Sequence, residues 1–173
     1  MHFHYYEPHT QALRDKPFYL MREQGLLPYA MSSLAHPTLA LWRSITAKEQ
    51  GHLLLCEDDK GLMLGCALFT PFRGRVWECD VTGFRAGFAH AVPMAQGGMA
   101  WAFEHLDCAA LISLCPRPNR HAWRIAPACG FILRGILPDA LWWAAKERFV
   151  PALELVASQH SLEHAQHAYA QRQ

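Results

Sequence analysis

The sequence has no C-x-x-C pair, no block of like charge, no long apolar run and no internal repeat. Each absence excludes a class of protein. The six cysteines, Cys56, Cys66, Cys79, Cys108, Cys115 and Cys129, lack the close pairing of zinc or redox motifs, and several sit inside apolar runs. They read as reduced core thiols of a cytoplasmic protein, with no metal site expected. The formal net charge is +1 and no basic stretch stands out, which argues against a nucleic-acid partner. No segment reaches the roughly 18 apolar residues of a membrane helix, so no membrane partner is expected. The start, MHFHYYEPH, lacks the basic and apolar regions of a secretory leader.

What is present is globular. The 173 residues are 51% hydrophobic and 18% charged, enough to bury one sizeable core. Residues 2–6 read as a short aromatic strand. Residues 10–24 read as a helix capped by Thr10, stopped by Gly25 and kinked or split at Pro17. A second helix is expected over 37–50, with Pro37 near its first turn and Gly51 past its end. Three strands follow, HLLLCE (52–57), LMLGCALF (62–69) and RVWECDVTGF (75–84), joined by DDKG (58–61) and TPFRG (70–74) as a meander. Beyond it come a helix over 94–106, a buried strand over 110–115, a helix over 118–130 ended by Gly130, and a strand over 131–137. Residues 149–157 read as a strand or a short helix. The order describes one mixed α/β domain.

Two features invite chemistry. Gly97 and Gly98 sit side by side where a helix is expected to begin. They form either a tight turn or a place where bare N–H groups meet a phosphate. In VWECDVTGF a period of two puts Val76, Glu78, Asp80 and Thr82 on one face. Two carboxylates on one face are costly if buried. They suit either a solvated edge or a wet cleft, where one has a raised pKa and takes a proton from an ammonium. His160, His164 and His167 share one face of a helix-prone end, which is expected to be solvated and frayed. His90 precedes the glycine pair and is a candidate contact for a ligand. Trp142, Trp143 and Phe149 form an aromatic group suited to core, dimer surface or substrate wall.

The chain resembles the GNAT acyltransferase superfamily over about residues 52–157. The meander leads into a glycine-bearing helix start, VWECDVTGF resembles the family's central strand, and NRHAWRIAPACGF is similar to its N-x-x-A…G-F signature at Asn119, Ala122, Gly130 and Phe131. The flavour is nearest to GNAT-like proteins of phages and prophages. The resemblance implies an α/β (α+β) fold: a mixed, mostly antiparallel central sheet flanked by helices. One domain would span residues 1–157, with a polar helical tail over 158–173. It implies acetyl-CoA as co-substrate and direct transfer of its acetyl group to an amine of a small molecule or a protein, by a monomer or homodimer.

In that family a Q/R-x-x-G-x-G/A loop holds the coenzyme A pyrophosphate at a helix N-terminus. The implied residues here are Ala95, Gln96, Gly97, Gly98, Met99 and Ala100. Ala95 stands where Gln or Arg is usual, and Gln96 is one residue away. Asn119 is implied as a coenzyme A contact or as a helix cap. Glu78 is implied as the catalytic base, with Asp80 as helper or ammonium binder. One departure matters: Ala126 occupies the position of the family's usual general-acid Tyr, and neither Trp123 nor Cys129 is an obvious substitute. A catalytically inactive module that keeps the fold, and coenzyme A binding with it, is therefore the second expectation.

Overall fold

The computed structural model describes residues 2–172. Met1 and Gln173, the outermost residues of the expected domain and tail, lie outside the described residues. The chain runs β1 (Phe3–Tyr6), α1 (Gln11–Glu23), α2 (Leu27–Ala30), α3 (Leu39–Ile45), β2 (His52–Asp58), β3 (Met63–Arg73) and β4 (Val76–Gly83). A 3-10 turn, Arg85–His90, then feeds α4 (Ala91–His105), followed by β5 (Ala110–Pro116), α5 (Arg120–Cys129), β6 (Ile132–Trp143), β7 (Arg148–Ala157) and α6 (Gln159–Ala170). The strands form one seven-stranded sheet in the order β1-β2-β3-β4-β5-β7-β6. Every neighbouring pair is antiparallel except β4 and β5, which run parallel. This is the mixed, mostly antiparallel α/β architecture expected from the sequence.

Alternation along the strands builds two cores, one on each face. Leu54, Phe69, Cys79, Leu111 and Leu155 pack with Met99, Ala126 and Leu162 of α4, α5 and α6. Leu53, Leu55 and Cys66 pack with Phe18, Met21 and Trp42 of α1 and α3. The second face is fastened by polar groups as well. Arg14 donates to the Thr46 carbonyl, and the Trp42 indole donates to the Arg14 carbonyl at 2.8 Å.

Several boundaries differ from expectation for visible reasons. Helix α1 continues through Pro17, which is buried. The helix expected over 37–50 shortens to α3, capped by the Thr38 hydroxyl, and an unforeseen turn of helix, α2, precedes it. Strand β3 runs on through Pro71 to Arg73, because a bulge at Phe72 absorbs the extra residue and the turn falls at Gly74, φ 57°. Strand β6 extends to Trp143 past a second irregularity between Leu137 and Leu141. Residues 148–157 form a strand, which settles that alternative.

The C-terminal segment is not a solvated, frayed end. Ser158 and Ser161 cap α6 reciprocally, and Leu162 and Ala165 are buried against the domain. Gly130, φ 104°, ends α5 where its missing β-carbon lets the Leu162 backbone approach. His160, His164 and His167 stay exposed, and no group of potential metal ligands occurs among the described residues. No helix among them is long and apolar enough to cross a membrane.

Candidate active site

Strands β4 and β5 pair at only three positions, Val76–Ala110, Trp77–Leu111 and Glu78–Ile112, and then part. Past Glu78 the β5-facing backbone groups of β4 have no strand partner, and a cleft of about 680 Å³ opens in the gap. Its walls come from both sides of the sheet. Asn119, His121, Ala122 and Ala126 line it from α5 and its N-cap, Phe88 from the 3-10 turn, Ala91 and Ala95 from α4, and Leu26, Tyr29 and Ala30 from α2 and the residue before it. Because α2 and α5 lie on opposite faces, the cleft passes through the sheet where the strands separate.

Glu78 and Asp80 pair with Thr70 and Leu68 of β3, on the face covered by α1 and α3. Neither carboxylate takes part in an ion pair among the described residues. Asp80 keeps contact with solvent, yet protein atoms crowd its carboxyl on most sides. That desolvation, and then the Glu78 charge, push its pKa up to about 6. Of the two carboxyls on this face, Asp80 is the one whose pKa is raised, and Glu78, which the resemblance implied as the base, supplies part of that shift. Across the gap the Cys115 thiol is pushed up to about 11, by burial first and by Asp80 second. Burial also raises Cys129 to about 11 and Cys79 well above the ordinary thiol range. All three thiols line the cleft, and they stay protonated near neutral pH.

The stretch Ala95–Ala100 is not a loop at a helix start. Helix α4 begins at Ala91, so these residues lie in its interior, with N–H groups committed to the helix ladder. The glycines serve packing. A β-carbon at Gly97 would collide with the Tyr5 ring, and Gly98 lies against Tyr5 and Leu54. Gln96 is buried and donates to the Ala128 carbonyl at 2.8 Å, tying α4 to α5. Met99 is core, Ala100 packs against that core, and only Ala95 of the six lines the cleft.

The N-terminal end of α4 stands instead just after Arg85–His90, where the Ala91 N–H donates to the Phe88 carbonyl and Pro93 has no N–H. That turn is held by Arg85 N–H donating to Gln24 Oε1 at 2.8 Å, and by Gly87, whose missing side chain lets the Leu64 carbonyl approach. Gly87-Phe88-Ala89 carries the same G-x-A spacing as Gly98-Met99-Ala100 and follows the strand directly. This was the signal available in the sequence. His90 caps the helix without a side-chain bond, and its ring tilts against Phe3 rather than into the cleft.

Asn119 sits at the start of α5, its side chain makes no capping bond, and it lines the cleft. Ala126, at the position where the sequence resemblance implied a general-acid Tyr, leaves only a methyl group on the wall. Trp123 donates to the Arg117 carbonyl at 3.0 Å, a structural role. Of the aromatic group, Trp143 is buried behind Tyr29 at 6.1 Å, while Phe149 is exposed and packs edge-on against Trp142. Tyr29 and α2, the wall nearest the carboxylate face, carried no motif in the sequence.

No family model matches the sequence, and no curated protein matches it. Solved structures match closely in shape. A spermidine N-acetyltransferase from Vibrio cholerae, in complex with CoA and spermine, superposes with a TM-score of 0.76 at 12% identity, covering 92% of this chain and 97% of its own. An aminoglycoside acetyltransferase in complex with coenzyme A gives 0.71 at 14%, covering 94% and 98%. A ribosomal-protein-S5-alanine acetyltransferase from Vibrio fischeri gives 0.67 at 10%, covering 91% and 93%. The chain has the fold of these acetyltransferases over nearly its whole length.

Proposed function

We propose that this chain is an N-acyltransferase that binds acetyl-CoA in the cleft between β4 and β5 and transfers the acetyl group to an amine. The observation that carries the reading is the splay itself. Backbone groups of β4 left without strand partners line an open cleft, and a carboxyl with a raised pKa stands beside it. Coenzyme A fits these features chemically. Its pantetheine arm carries two amides able to bond the unpaired strand edge, and its pyrophosphate suits the N-terminus of α4. The pyrophosphate role thus moves from Ala95–Ala100 to Arg85–His90 and the first turn of α4, while Asn119 keeps a coenzyme A contact.

Bound acetyl-CoA supplies an activated thioester. Asp80 takes the proton from the incoming ammonium, with Glu78 holding the Asp80 pKa up and attracting the cation. β4 N–H groups at the splay donate to the thioester oxygen as charge develops there. The new N–C bond forms as the C–S bond breaks, and the leaving thiolate takes a proton from water, since Ala126 provides no acid. The acceptor is an amine of a small molecule, in keeping with the spermine-bound and aminoglycoside-modifying structures of the same shape.

Ala126 also favours a second reading, a module that binds coenzyme A without turnover. Release of free thiol from acetyl-CoA over a panel of polyamines, aminoglycosides and peptide N-termini decides between them. Turnover with any amine supports the enzyme. Binding without turnover across the panel supports the module.

A further inference from the structure

The two sides of the cleft differ in chemistry. Alternation along β4 puts Glu78, Asp80 and Thr82 on the face covered by α1 and α3. Helix α2 belongs to that face as well. It packs against β4, and Leu26, Leu27 and Ala30 join the core built there by Phe18, Met21 and Leu53. An amine that reaches Asp80 on this face therefore meets the cleft wall of Leu26, Tyr29, Ala30 and Thr82. In the reading above coenzyme A holds the other side, toward α4 and Asn119.

This acceptor wall is apolar and neutral. Its polar side-chain atoms are two hydroxyls, on Tyr29 and Thr82. Among the described residues no Asp, Glu, Lys or Arg lines any part of the cleft. The Arg85 guanidinium is committed to the Gln24 carbonyl at 3.4 Å. Tyr29 is exposed, yet it is backed. Trp143 packs edge-on against it at 6.1 Å, and the Ala144 N–H donates to the Ser32 carbonyl at 3.0 Å, fastening the β6–β7 connection to the segment after α2. Such a wall gains by covering an apolar body. A second ammonium or a carboxylate laid on it would lose hydration and find no counter-charge.

We infer that the acceptor is a primary monoamine with an apolar body and no second charge, its ammonium at Asp80 and Glu78 and its body against Leu26, Tyr29 and Ala30. This rests on the acyltransferase reading above and narrows its amine. The step is unchanged. Asp80 takes a proton from the ammonium, the freed nitrogen forms the N–C bond as C–S breaks, and the thiolate takes a proton from water.

Calorimetric titration of three amines into the full chain saturated with coenzyme A tests this without needing turnover. Hexylamine, diaminohexane and aminohexanoate share one chain and one ammonium and differ at the far end: a methyl, a second ammonium or a carboxylate. Hexylamine is expected to bind at least about tenfold tighter than either analogue. A smaller preference, or a preference for either charged analogue, overturns the inference. So does coenzyme A binding with no binding of any amine, which leaves the cofactor reading standing. No binding of coenzyme A overturns both. Tyr29→Glu adds a carboxylate to the wall at an exposed position. It is expected to cut the preference for hexylamine over diaminohexane at least about tenfold, while changing coenzyme A affinity less than about twofold. A Tyr29→Glu protein that binds coenzyme A and keeps the parent's preference overturns the placement of the amine on α2, and the inference with it.

Discussion

Tyr5 and Gly97 share one space: the Tyr5 ring lies where a β-carbon on residue 97 would stand, and its hydroxyl donates to the Met94 carbonyl at 2.8 Å. Alanine normally stabilises a helix interior over glycine by about 0.8–1 kcal/mol. Here the sign reverses. Gly97→Ala is expected to destabilise the protein by about 1–3 kcal/mol through overpacking, read as a lower midpoint in urea. Tyr5→Ala in the same chain should recover part of the loss. A more stable Gly97→Ala protein would show that the ring yields freely.

Helix α6 acts as part of the domain. Leu162→Ala is expected to cost about 2–5 kcal/mol, as for other buried leucines, because Leu162 is buried against the core that includes α4 and α5. His160→Ala, His164→Ala and His167→Ala should each fall within about 0.5 kcal/mol of the parent, as exposed changes do. Equal effects from Leu162 and the histidines would contradict the docking.

These two cases show how far the sequence could be read. The order of strands and helices was legible because periods of two and of about 3.6 alternate cleanly through residues 52–130. The glycine pair was legible as unusual but not in its purpose. Only tertiary structure brings β1 across α4, some ninety residues away. Leu162 and Ala165 alone mark the buried side of α6, too sparse a stripe amid His, Gln and Glu to signal docking. The splay was not legible either, since nothing in ALISLC shows that pairing with β4 stops at Ile112. The carboxylate face was legible by alternation, but which carboxyl has the raised pKa depends on crowding that a strand pattern does not encode.

Asp80 gives two pH dependences. As the base it must be ionised, so turnover should fall as pH drops through about 6. Asp80→Asn should remove that acid limb and lower turnover about 10²-fold or more. Stability runs the other way. A carboxyl raised from 3.8 to about 6 in the folded chain favours folding below about pH 4, and that contribution is lost as pH rises through about 6. Asp80→Asn should therefore raise the melting temperature above pH 7 and change it little near pH 4. An unchanged difference in melting temperature across that range would remove Asp80 as the perturbed group. If Glu78→Gln, rather than Asp80→Asn, abolished the acid limb, the base would be Glu78.

The most direct test of the central claim is thermal unfolding with and without coenzyme A. If the splayed strands and the N-terminus of α4 hold the cofactor, ligand at one hundred times its dissociation constant should stabilise the fold by about 2.7 kcal/mol, a clear rise in melting temperature. Dephospho-coenzyme A should keep most of the rise and pantetheine should lose most of it, because only the former retains the pyrophosphate. Gly87→Glu, which places bulk and negative charge at the Leu64 contact before α4, should abolish the shift, whereas Gly98→Ala, inside the helix, should preserve it. A protein whose melting is indifferent to saturating coenzyme A and acetyl-CoA would contradict the account and leave an acetyltransferase fold without its cofactor.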